Sequence, residues 1–230
     1  MKYQKVLIKF SGEAFGQKGK AVEPAKVLEI VEEIRQLLKQ KVRVAVVTGG
    51  GNVSRWKDVK KGGRTTVDRK GMQGTLKNVG ALEKFLKIRK VPVQVYTSFS
   101  VRSKYPHFNQ RAAEKDFLKN KVLIFAGGTG HPFFTTDTAA VLRALEIGAQ
   151  IYIKATKVSG IFNADPFKNA GAKKIKSISY QNYVSRNLKV VDPVAVCLAW
   201  ENQLPIRVIK WQPGSAVKAA LGKAAGSIIK

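Results

Sequence analysis

The chain has 230 residues, 44% of them hydrophobic, and sets 42 Lys and Arg against 15 Asp and Glu for a formal net charge of +27 at pH 7. That length buries a large single core, while no apolar run nears the roughly 20 residues of a membrane span, which argues against an integral membrane protein. The single cysteine, Cys197, excludes an intrachain disulfide and a thiolate metal cluster; its apolar neighbours predict a place in the core.

Met1 to Lys5 leads straight into an apolar run rather than a secretory segment, so a cytoplasmic protein is expected. Val6 to Phe10 reads as a buried strand that ends in Ser11-Gly12-Glu13. Pro24 to Lys39 predicts a helix, with Pro24 in the first turn and Val27, Ile30, Val31, Ile34, Leu37 and Leu38 on one face. Arg43 to Thr48 predicts a strand that opens onto Gly49-Gly50-Gly51-Asn52. A long helix over Gly71 to Lys90, a strand over Val93 to Thr97 and a short helix over Arg111 to Lys119 follow. Val122 to Ala126 is a strand whose exit is Gly127-Gly128-Thr129-Gly130-His131-Pro132-Phe133-Phe134-Thr135-Thr136-Asp137. A helix from Thr138 to Glu146 closes on Gly148 as its C′ glycine, and Gln150 to Ala155 is the next strand. The rest predicts a loop around Asp165-Pro166, helices over Tyr180 to Ser185 and from Pro193, a strand over Ile206 to Lys210, a helix near Ala216 to Leu221 and a closing strand to Ile229. This alternation predicts one α/β domain over residues 1–230, without internal repeats or linkers.

Three apolar strands that each end in a small, hydrogen-bonding loop point to a phosphorylated ligand gathered at the carboxyl ends of a sheet. Glycine lets the backbone approach such a ligand closely, although the same loops also serve as ordinary tight turns. Gly19-Lys20 is followed by Ala21 and Gly222-Lys223 by Ala224, so neither is a P-loop. Lys9 lies in an otherwise apolar run just before Ser11-Gly12, a place better suited to neutralising a phosphoryl group than to a solvated surface. Asp137 precedes a predicted helix and is read either as its cap or as a functional carboxylate.

These motifs, with Lys154-Ala155-Thr156-Lys157-Val158, Ala164-Asp165-Pro166 and Leu204-Pro205-Ile206-Arg207-Val208, run end to end in an order that resembles the bacterial-type UMP kinases of the amino acid kinase superfamily. The resemblance implies a three-layer αβα sandwich around a central, mostly parallel sheet, and transfer of the γ-phosphoryl of ATP to UMP in pyrimidine nucleotide biosynthesis. It implies Lys9 and Asp137 as the catalytic pair, and an ATP side built from Lys9, Phe10, Ser11, Gly12, Gly51, Arg55, Thr156, Phe162 and Asp165. A UMP side follows at Gly50, at Asp68 for the ribose hydroxyls, and along Thr129, Gly130, His131, Pro132, Phe133, Phe134, Thr135 and Thr136. No protein metal site is implied; Mg²⁺ is expected through the nucleotide phosphates, and a homohexamer as the assembly. Asp192, before Pro193, reads as a helix cap and stays outside the catalytic set. The chain departs from the family at Ser159, where an aspartate is usual, at His131, where an asparagine is usual, and along Gly71-Met72-Gln73-Gly74-Thr75. The positive charge, spread over groups such as Lys57, Lys60, Lys61, Arg64, Arg69 and Lys70, is read as a solvated surface or as a face for a nucleic-acid partner. On the second reading the protein would be a polyanion-binding or scaffolding module with little catalysis.

Overall fold

The computed structural model describes residues 3–17, 22–52, 63–99, 104–223 and 225–230. Arg55, Lys57, Lys60 and Lys61 lie outside the described residues, as do Met1, Lys2, Lys20, Ala21 and Ala224. The chain runs β1 (Lys5–Phe10), α1 (Pro24–Lys39), β2 (Arg43–Thr48), α2 (Arg64–Ile88), β3 (Val93–Thr97), α3 (Gln110–Leu118), β4 (Val122–Ala126), α4 (Thr136–Glu146) and β5 (Ile151–Thr156). It continues through β6 (Ile161–Phe162), β7 (Lys174–Ile175), β8 (Ser177–Ile178), α5 (Tyr180–Ser185), α6 (Pro193–Glu201), β9 (Ile206–Lys210), α7 (Ser215–Ala220) and β10 (Ser227–Ile229).

Eight strands form one sheet in the order β3-β4-β2-β1-β5-β9-β10-β8, parallel throughout except where β10 runs against β9. Strand alternation sends Val6, Ile8 and Phe10 to one face and Leu7 to the other. The first face packs under α1, α2 and α7, the second under α3, α4, α5 and α6, which gives the expected αβα sandwich. The sheet is apolar on both sides, as a doubly covered parallel sheet must be, so polar residues within its strands stand out.

The terminal signals hold where their chemistry is local. Pro24 occupies the first turn of α1, and Gly148 has φ 63° after α4, where its N–H and that of Ala149 reach the carbonyls of Leu145 and Ala144 as in a Schellman motif. The long helix, however, begins at Arg64 rather than at Gly71. Gly71 lies inside the helix rather than at its start: a Cβ on Gly50 would stand 2.2 Å from the carbonyl oxygen of Gly71, so helix and glycine loop touch backbone to backbone. Cys197 is exposed on α6, not in the core, because Ala195, Val196 and Ala199 supply that helix's buried face.

Candidate active site

Lys9 and Lys154 are register partners on adjacent strands, and both point to the α4 side of the sheet, as do Leu7 and Tyr152 one step before them. Asp137, in the first turn of α4, comes down between the two ammonium groups. Its Oδ1 lies 3.1 Å from Lys9 Nζ and accepts from the hydroxyl of Tyr152 at 2.9 Å, while Oδ2 pairs with Lys154 Nζ. Lys9 and Lys154 are each 8% exposed and Asp137 5%; the two lysines line a cleft, while Asp137 is not part of its lining and reaches it only through them. Burial raises the Asp137 carboxyl, but the charges of Lys154 and Lys9 outweigh it and hold the group well below the usual carboxylate range. Burial, helped by the charge of Lys9 and opposed by that of Asp137, brings Lys154 down from 10.5 to about 8. Two ammoniums against one carboxylate leave a net positive charge, and each ammonium keeps donors free of Asp137 for a phosphoryl oxygen.

The cleft encloses about 450 Å³ at the carboxyl ends of β1, β2, β4 and β5. Of the expected residues, Lys9, Ser11, Gly12, Gly50, Gly51, Asp68, Thr129, Phe134, Thr135 and Thr136 line it. The loops are fixed by polar contacts that take the place of apolar packing. Asn78 of α2, fully buried, donates to the carbonyl of Gly49 at 2.7 Å and pairs with the side chain of Asn52. Thr75 accepts from the N–H of Gly127 at 2.8 Å, which ties the third loop to the same helix. Gly130 has φ 83°, and a Cβ there would meet the carbonyl oxygen of Ser98 at 2.6 Å, so that turn admits no side chain.

Asp68 accepts from the backbone N–H of Phe133 at 2.9 Å and pairs with Arg64, whose guanidinium covers the Phe133 ring at 5.1 Å. It therefore staples the Thr129–Thr136 loop to α2 as well as facing the cleft, a role the sequence does not suggest. Thr135, not Asp137, caps α4: its hydroxyl accepts from the N–H of Asp137 at 3.1 Å, which frees the aspartate for the lysines. The helix starts at Thr136, so its N-terminal dipole faces the cleft.

Other expected positions lie elsewhere. Phe10 is fully buried, edge-on to Trp211 at 4.9 Å, and does not line the cleft; its carbonyl accepts from the N–H of Gly49. Gly130, His131, Pro132 and Phe133 belong to the loop but do not line the cleft, and the imidazole of His131 is exposed near the carbonyl of Thr129. Thr156, Phe162 and Asp165 also stand apart from the cleft lining. Phe162 is half-buried in the β6–β7 pair, and Asp165 is exposed, with its carboxylate closing a turn onto the N–H of Phe167.

Lys154 and Asp192 were missed as site residues. Lys154 carries the same signal as Lys9, a lysine in an apolar strand. Asp192 does cap α6 through Val194, but its Oδ2 also accepts from the hydroxyls of Thr135 and Thr138, each at 2.7 Å, and its N–H reaches Asp137 at 3.3 Å. Those contacts join residues more than fifty positions apart, which local sequence cannot reveal.

The family model described as the amino acid kinase family matches residues 4–210. The uridylate kinase of Legionella pneumophila (strain Paris) is 38% identical over 233 aligned positions, spanning 100% of this chain and 94% of that protein. Among solved structures, UMP kinase from Bacillus anthracis superposes with a TM-score of 0.93 at 30% identity, covering 100% of this chain and 97% of the other. UMP kinase from Ureaplasma parvum superposes with a TM-score of 0.91 at 30% identity, with both chains covered completely.

Proposed function

Since the chain belongs to the amino acid kinase family and matches its uridylate kinases end to end, we infer that it is a UMP kinase, transferring the γ-phosphoryl group of ATP to UMP. The observation that carries the reading is the pair Lys9 and Lys154, held by Asp137, in the lining of a cleft ringed by glycine and threonine loops. The phosphate of UMP is already ionised near neutral pH, so the reaction needs no strong base; it needs two anions brought together and the charge on the moving phosphoryl offset. Lys9 and Lys154 would donate to the equatorial oxygens as the bond to the β-phosphate lengthens. Asp137 would hold the two ammoniums apart and charged, and so acts on the reaction through them.

The Ser11–Gly12 and Gly50–Gly51 backbones would hold nucleotide phosphates, and the Thr129–Thr136 loop with Asp68 the acceptor nucleotide. Both oxygens of Asp137 are already engaged by Lys9, Lys154 and Tyr152, and an oxygen of Asp68 by Phe133 and Arg64, so these carboxylates are poor metal ligands. ATP is therefore taken with Mg²⁺ on its own phosphates, where the cation supplies further charge neutralisation. The same reading makes the protein a cytoplasmic homohexamer in pyrimidine nucleotide biosynthesis, an assembly that sedimentation of the purified protein would test. The test of function is transfer of label from [γ-³²P]ATP. Label appearing in UDP only when UMP is present supports the assignment, and label passing to water or to another acceptor overturns it.

A further inference from the structure

A second concavity, of about 850 Å³, lies at the opposite end of the sheet, where β1 and β2 begin and α1 and α3 end. Its walls carry Lys41, Arg43 and Lys119 together with Gln4, Pro92 and Asn120. Lys39, Arg89 and Lys90 adjoin those walls in sequence and are exposed. None of these six cations stands in a direct ion pair among the described residues, although Lys119 acts at longer range on the Asp116 carboxyl; nearby Lys87 and Lys121 are paired directly with Glu83 and Asp116.

Helix C-termini attract cations, and one lysine near each end would satisfy that preference. Lys39, itself one of the six, and Lys87 and Lys115 already stand in the last turns of α1, α2 and α3, so the other five groove cations exceed what the dipoles ask for. Arg43 is also held in place: its Nε donates to Asn120 Oδ1 at 3.2 Å, leaving the outer guanidinium nitrogens free. Exposed apolar side chains, Ile88 at 60% and Leu118 at 58%, stand at the neighbouring helix ends.

We propose that this groove docks a single-stranded polynucleotide, gripping its phosphodiester backbone without reading its sequence. Lys41, Arg43 and Lys119 along a concave wall, none of them in a direct ion pair, match a chain of monoanionic phosphates, and such a site adds to the kinase cleft at the other end of the sheet without using its residues. A recess of this volume has room for a few nucleotides of single strand.

The test uses a fluorescein-labelled 20-nucleotide single-stranded RNA, with an equal-length DNA duplex and phosphatidylserine vesicles as competitors, titrated between about 50 and 200 mM salt. The variant Lys41→Ala/Arg43→Ala/Lys119→Ala is compared with Lys189→Ala/Lys218→Ala/Lys223→Ala, which removes the same charge elsewhere, and thermal unfolding midpoints check that both fold. With about 0.7 of slope per neutralised phosphate on a single strand, the groove variant loses about 2 from the log–log salt slope and about tenfold or more in affinity, while the control variant binds like the parent. Equal losses in both variants, no binding by the parent, or competition by vesicles or duplex stronger than by unlabelled single strand overturn the proposal. None of these readouts depends on UMP turnover, so the outcome is separate from that of the kinase assay.

Discussion

At the level of single residues, two lysines share the carboxylate of Asp137. Lys154 is held near 8 by burial, so it loses its charge well before an ordinary lysine would. kcat/KM, which reports the free enzyme, should therefore fall above an apparent pKa of about 8, while in kcat the limb moves upward because bound phosphate favours the charged form. Stability moves the other way: between about 8 and 10.5 the unfolded chain keeps a proton that the folded chain has lost, so this group's titration makes the fold more stable as pH rises. A pH profile of Lys154→Gln should lack the limb and run at a lower plateau; a limb of unchanged position would assign it to another group. Asp137→Asn removes the charge that sets the two ammoniums. Its kcat should drop by about 10²–10³, the scale of losing a preorganised electrostatic contact, and the alkaline limb should shift below that of the parent. A loss confined to KM would mean that Asp137 only helps binding.

At the scale of elements, α2 acts as the brace to which the glycine loops are tied. Thr75 accepts from the buried N–H of Gly127, while Asn78 holds the loop after β2 by donating to the carbonyl of Gly49 and pairing with the side chain of Asn52. Thr75→Val keeps the shape but leaves that N–H unpaired, which should cost about 1–3 kcal/mol. For a chain this long the unfolding midpoint should fall by about 2–4 °C per kcal/mol, with KM for both nucleotides rising as the loop loosens; calorimetry beside steady-state kinetics checks both. These ties mark the limit of sequence reading. The strands and most helices were legible because apolar period and caps are local, and Lys9 because a lysine in an apolar strand is conspicuous. Asp192 and the Asp68–Phe133 staple were not, since each partner is brought from a distant element by the fold. The two-residue strands β6, β7 and β8 carry no period to read, and the early start of α2 was hidden by Gly71, which sits within the helix against the backbone of Gly50.

At the scale of the whole molecule, the parallel sheet separates two positively charged ends. The carboxyl ends of the strands hold the recessed triad, and the amino ends the open basic groove. A net charge of +27 draws in nucleotides from a distance, a contribution that salt screens, whereas the buried triad is screened much less. Raising ionic strength from about 0.05 to 0.5 M should accordingly lower kcat/KM for UMP several-fold and leave kcat nearly constant. A parallel fall in kcat would place the salt-sensitive charges at the reacting groups instead.

The most direct test of the central claim is UDP formation from ATP and UMP by the parent, Lys9→Ala and Lys154→Ala, measured at saturating concentrations of both nucleotides with folding checked by circular dichroism. Turnover that requires UMP and falls by orders of magnitude in kcat in each folded variant is the predicted result. Full kcat in either variant, with only KM changed, would contradict a catalytic role for the paired lysines and place them in ground-state binding alone.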